Sequence, residues 1–89
     1  MASGSVVVHD IESLDSFMGV LKNKRDELES LYGVLSQETN SQGSNWQDPQ
    51  YDCLKDMVDG YCQACRGQLA ELDASITYIG GLVAKLRDL

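Results

Sequence analysis

At 89 residues the chain has room for one domain. A domain this small buries a modest fraction of its surface, so association is a common way to complete its core. With 43% hydrophobic and 24% charged residues it has the composition of a folded protein. Its net charge of −7 keeps it soluble, repels phosphate backbones and anionic lipid, and argues against nucleic acid as a partner.

The N-terminal stretch MASGSVVVHDIESL has no positive leading region. Its apolar run Val6-Val7-Val8 is too short for the core of a signal peptide, and no apolar run reaches membrane-spanning length. The expectation is no cleaved leader and no membrane insertion. Residues 3–8 carry three β-branched valines, which favour an extended strand that could pair with a partner or pack as a short arm, but disorder is the default for a terminus.

From Asp10 onward, apolar residues recur at Ile11, Leu14, Met18, Leu21, Leu28, Tyr32 and Leu35, in steps of three and four with Arg25 filling one seam position. That is the period of a helix with one buried face, and Phe17, Leu31 and Val34 widen it. Asp10 suits the N-cap, and Glu12 in the first turn suits the helix dipole. The first helix is expected over about 10–39. Arg25 in the seam can fix register by pairing with an acid of the second helix or of another protomer, with snorkelling of its stem as the plainer outcome.

Residues 40–47, NSQGSNWQ, break the pattern, because Asn, Ser and Gly favour turns over helix. Asp48-Pro49 restarts it, with Asp48 placed to cap and Pro49 at a first-turn position that needs no amide donor. The second helix is expected over about 49–87, along a stripe of Tyr51, Leu54, Val58, Tyr61, Cys65, Leu69, Leu72, Ile76, Ile79, Val83 and Leu86. Two successive steps of four, between Tyr61 and Leu69, would shift this seam by one residue and relax any supercoil. Gly60 and Gly67 could admit close approach of another helix, and Gly80-Gly81 could mark fraying or a kink.

Two helices of 30–40 residues, roughly 45–60 Å each, joined by a short connection, make an antiparallel hairpin. The expected fold is therefore a single all-α domain over 1–89. Two helices cover only part of two wide apolar faces, so the stripes Leu14, Met18, Leu21, Leu28, Tyr32 and Leu35, and Leu54, Val58, Tyr61, Leu69, Leu72, Ile76, Ile79 and Val83, are also the expected interface of a dimeric four-helix bundle.

The turn NWQDPQYDCLKDMV resembles that of the WXG family, the small proteins of the early-secreted-antigen type associated with type VII secretion. In that family a Trp-any-Gly turn joins the two helices of a hairpin, and hairpins pair into homodimeric or heterodimeric bundles. Trp46 matches the family tryptophan, Asp48 stands where the glycine is usual, and Tyr51 matches the residue that opens the second helix. The resemblance implies a non-enzymatic protein that acts by protein–protein contact. It is expected in the cytoplasm before export without a cleaved signal peptide, with itself, a homologous hairpin, a larger secreted effector or a secretion ATPase as partner. The family's Tyr-x-x-x-acid export signal is not matched: Ser36, Lys55, Cys65 and Leu82 stand four residues after the four tyrosines. A partner would have to supply it. A cytosolic adaptor or chaperone that covers an amphipathic helix of a larger protein is the alternative.

Physically, the Trp46 indole can cap the end of the hairpin, burying a large apolar area while its N–H finds a carbonyl or water, and Asp48 can accept amides at the start of the second helix. An exposed recognition surface around Trp46 is the competing reading. Cys62 and Cys65 form a CxxC, but lie mid-helix, with Cys53 two turns away and His9 before the other helix. They read as small packed residues ahead of a metal or redox pair, and an odd count of three cysteines suggests free thiols in a reducing compartment. His9 lacks a nucleophile or second base. Asp52, Asp56 and Asp59 read as a solvated face ahead of a weak cation or partner surface. No catalytic residue, metal ligand set or cofactor is expected.

Overall fold

A computed structural model of the chain describes residues 7–89. The N-terminal valine segment, residues 3–8, lies for the most part outside them; Val7 is exposed, and neither Val7 nor Val8 belongs to a helix or strand. Helix α1 spans Ile11–Ser41 and helix α2 spans Pro49–Arg87. They fold back on each other as an all-α helical hairpin 62 Å long.

Both helices begin where the sequence supplies a cap. Asp10 is extended, and its carboxylate accepts the Ser13 amide at 3.0 Å. Asp48 is extended too, and its Oδ1 accepts the amides of Gln50 at 2.7 Å and Tyr51 at 3.2 Å. Each satisfies amides that the first helical turn leaves without a partner. At the other end of α1 the helix continues through Asn40 and Ser41, and Gln42–Ser44 add a single 3-10 turn. The polar residues that signal a break here bond backward onto the helix. Thr39 Oγ1 donates to the Leu35 carbonyl at 2.7 Å, and Ser41 Oγ to the Glu38 carbonyl at 2.8 Å. Bonded this way, the two hydroxyls are compatible with helix, which tolerates them at slight cost.

The seam of α2 is more regular than the hydrophobicity pattern suggests. Tyr51, Cys62, Cys65, Leu69, Ile76 and Val83 are buried, with Val58, Leu72, Ile79 and Leu86 half-buried between them. Steps of four and three alternate from Val58 to Leu86 without the expected shift, because Cys62 occupies the inward position and Tyr61 stands beside it, 60% exposed. The reason is volume. Tyr32 fills that level of the seam from α1, with its carbonyl 3.7 Å from Cys62 Sγ. A thiol fits against it where a second phenol could not. Tyr61 instead meets Tyr32 edge-on, ring centres 6.5 Å apart. Leu54 is likewise displaced to the surface, and half-buried Lys55 takes the inward place with its ammonium 3.0 Å from Asp59.

On α1, Leu14, Met18, Leu21, Arg25, Leu28 and Tyr32 are half-buried against this seam and Leu35 lies at its edge. Gly80 is where the helices come close: a Cβ there would sit 3.4 Å from the Met18 sulfur. Helix α2 runs unbroken through Gly80-Gly81, and Gly60 and Gly67 meet nothing from α1.

Candidate functional site: the turn and the uncovered flank

Two features of the hairpin carry functional potential, and the turn is the first. Trp46 was expected to be its buried cap. The structure gives that role to Tyr51, which is 6% exposed, while Trp46 is 37% exposed. The Tyr51 ring enters between the helix ends, and its hydroxyl donates to the Thr39 carbonyl at 2.8 Å, one of the carbonyls near the end of α1. Gly43 makes room for it, since a Cβ there would lie 3.2 Å from the Tyr51 hydroxyl. Trp46 covers the outer side of the phenol, ring centres 5.7 Å apart, and its indole N–H donates to Asp48 Oδ2 at 2.7 Å. Asp48 thus uses one oxygen for the indole and the other for two backbone amides. The Trp46 N–H foremost, then the Tyr51 and Gln50 amides, hold its carboxyl below the usual carboxylate range, against a smaller opposing effect of desolvation. The residue spacing Trp-any-Asp is what lets one carboxylate tie the loop to the helix start.

The second feature is the contrast between the two long flanks of the hairpin. One flank is charged. Arg25, its side chain largely covered, donates from Nε to Asp73 Oδ1 at 2.8 Å and from Nη2 to Asp73 Oδ2 at 3.2 Å, a two-pronged bond across the helices. Its Nη1 reaches Glu29 at 2.8 Å. Hydrogen bonds to Asp73 and then Glu29 push the guanidinium pKa up. At the free end of the hairpin Arg87 bonds to Glu12 and, at 3.2 Å, to Asp15, and Glu12 foremost raises its pKa. The seam arginine has therefore found its acid within the same chain.

The other flank is apolar and bare. Phe17, Val20, Leu31 and Val34 of α1 are each at least half exposed. Helical spacing puts them on the same side as Leu54, Met57, Tyr61 and Tyr78 of α2, whose exposures run from 38% to 67%. Sequence reading took Phe17, Leu31 and Val34 as a widening of the buried stripe. In the hairpin they form a separate surface, because a single antiparallel partner covers about one third of a helix circumference. Apart from Val7, Trp46 and Leu35, every large hydrophobic side chain left exposed among the described residues belongs to this flank or ends it at Leu89. A one-sided exposed apolar surface is the mark of a docking face.

Of the residues expected to form an interface, Leu54 and Tyr61 lie on the bare flank and Leu35 borders it. Leu69, Ile76 and Val83 are consumed by the hairpin's own seam, and Leu14, Met18, Leu21, Leu28, Tyr32, Val58, Leu72 and Ile79 are half-covered by it. A shallow groove floored by Leu28, Tyr32 and Leu72 and rimmed by Gln68 and Ser75 opens on this same side. The two thiols of the CxxC are buried and unpaired, and Cys53 is exposed. The phenol pKa values of Tyr32 and Tyr61 are raised, with neighbouring Cys65 the largest cause. Among the described residues no three His, Cys, Asp or Glu side chains gather to hold a metal ion, and no helix is long and apolar enough to cross a membrane. No family model matches the chain, nor does any curated protein or solved structure compared with it.

Proposed function

We propose that the protein is a non-enzymatic helical hairpin of the WXG type that works by docking its apolar flank onto another helical hairpin, as a secreted component or partner of a type VII-like secretion system. One observation carries the reading. A tryptophan-bearing turn, locked by Trp46, Asp48 and Tyr51, joins two long helices that leave one flank uncovered. Hydrophobic surface confined to one side gives such a hairpin a reason to pair. The composite bundle then offers a larger effector or a secretion ATPase a surface that neither hairpin has alone. The charged flank, with Arg25 and Arg87 already paired, stays toward water.

Fractionation of the native host's culture tests this. The chain should be found in the medium, and should be retained in the cell when the gene of a membrane-bound secretion ATPase is deleted. A chain that stays inside the cell in both strains, bound to a helix of a larger protein, would instead establish the adaptor or chaperone reading.

A further inference from the structure

The two buried thiols of α2 have no part in the docking reading. Cys62 is 2% exposed and Cys65 8%, and neither is paired. Three residues apart, they share one face of the helix, with Cβ atoms about 5–6 Å from each other. A disulfide needs Cβ atoms within about 4.5 Å, so joining the sulfurs directly would bend α2. An ion held between the sulfurs adds two bonds to the span and leaves the helix straight. The surroundings suit a cation. Tyr32 and Tyr61 stand at this level, ring centres 6.5 Å apart, and both phenols feel Cys65 and, less strongly, Cys62. Four groups that become anionic by losing a proton are thus gathered together. Each opposes ionisation of the others, and a bound cation removes that opposition. There is also a way in. Cys65 forms part of the wall of the groove of about 360 Å³ that opens on the bare flank beside Tyr32 and Gln68, and Cys62, the more buried of the two, lies deeper.

We propose that Cys62 and Cys65 bind one soft monovalent cation of the copper(I) type, two-coordinate between their sulfurs and reached through this groove. The site is independent of the docking function. Ligand number decides the ion. Zinc takes four protein ligands in a structural site and three in a catalytic one, and among the described residues no third His, Cys, Asp or Glu joins the pair. Cys53 is exposed and nine residues before Cys62, about 13 Å along the helix axis. Soft thiolates select copper(I), and a monovalent ion with a filled d shell is content with two of them. Binding takes one proton from each thiol and releases both to solvent, leaving a bis-thiolate centre with one negative charge. The phenol hydroxyls beside Cys65 are donors for such a centre, which gives the metal an outer shell.

Anaerobic titration of the full chain with copper(I) alone, in competition with the chromophoric chelator bathocuproine disulfonate, tests the site, with circular dichroism to verify helicity. One equivalent should bind, and X-ray absorption at the copper edge should show two sulfur neighbours. Cys62→Ser and Cys65→Ser should each weaken binding at least about hundredfold, whereas Cys53→Ser should leave it within about twofold of wild type. Where serine in the seam lowers helicity, Cys62→Ala and Cys65→Ala take its place with the same expectation. Bound copper should raise the melting temperature of the wild type and not of these variants. A wild type that yields its copper to the chelator as readily as Cys62→Ser does, or whose affinity falls as far with Cys53→Ser as with Cys62→Ser, overturns the site. Three or more sulfur neighbours would mean copper shared between chains, and that result overturns it as well.

Discussion

At the turn, α1 and α2 are joined by a buried phenol, an indole over it and a carboxylate shared among three donors. At the far end of the 62 Å axis they are joined by one arginine reaching two acids, all three at least partly exposed. The first closure is geometric: each atom has one place, and water is largely excluded from Tyr51. The second is electrostatic, adjustable and in contact with solvent. Closures of the first kind set the position of the chain, whereas those of the second kind mostly limit fraying. The hairpin should therefore be rigid at its turn and soft at its free end, and amides of residues 50–60 should exchange with solvent more slowly than those of residues 80–87.

The strongest way to break this contrast is Tyr51→Ala. It empties the plug, leaves the Thr39 carbonyl with only the Gln42 amide as donor and leaves Trp46 with nothing beneath it. A loss of about 3 kcal/mol is expected, read as a lower urea midpoint at fixed protein concentration, so that association does not contribute. A loss under about 1 kcal/mol would mean the ring is not the plug. Tyr51→Phe keeps the ring and removes only the hydroxyl, and should cost about 1 kcal/mol. The gap between the two variants divides packing from hydrogen bonding at the turn.

Asp48 sharpens the contrast through pH. Its carboxyl titrates below its ordinary value in the folded chain, so the stability it contributes is complete above about pH 4, the ordinary carboxyl range. That stability is lost as pH falls through the lower folded value. Asp48→Asn can still accept from the Gln50 and Tyr51 amides, but it then presents its NH2, a donor, to the indole N–H and loses that bond. Its melting temperature should lie below that of the wild type at pH 7, and the difference should shrink as pH falls below the ordinary carboxyl range and Asp48 becomes protonated in the folded chain. A difference that persists unchanged in acid would show that the charge of Asp48 contributes nothing. Tryptophan fluorescence, from the only indole in the chain, reports on this end alone.

Much of this structure was readable in the residues. The caps at Asp10 and Asp48, the seam of α1 from Leu14 to Tyr32 and the lower seam of α2 from Leu69 to Val83 follow from chemistry that acts over a single turn of helix. Cys62 was not readable in place of Tyr61. Periodicity ranks the larger apolar residue as the inward one, but the space left by Tyr32 on the other helix decides the matter, and that information lies thirty residues away. The plug was hidden for the same reason. Trp46 is the larger aromatic, yet Tyr51 sits on the helix and so points between the ends, whereas Trp46 sits in the loop and lies over it. The division into a charged and a bare flank needs the antiparallel register, which places Asp73 opposite Arg25 and leaves Phe17 and Tyr61 on the other side.

The smallest expected effect belongs to Arg87→Gln. Arg87 is about half exposed, Glu12 more so, and exposed pairs are weakened by competing water and by the entropy of long side chains. Arg87 and Glu12 also stand in the last turn of α2 and the first turn of α1, so each interacts favourably with its own helix dipole without the other. Both contributions are screened by salt. The variant should melt slightly below the wild type in dilute buffer, and the difference should vanish near 1 M salt, where the screening length falls to about 3 Å. The Tyr51→Phe deficit, made of a part-buried hydrogen bond, should survive the same salt. If high salt removed both deficits alike, the two ends would be held by the same kind of force and the contrast between them would be wrong.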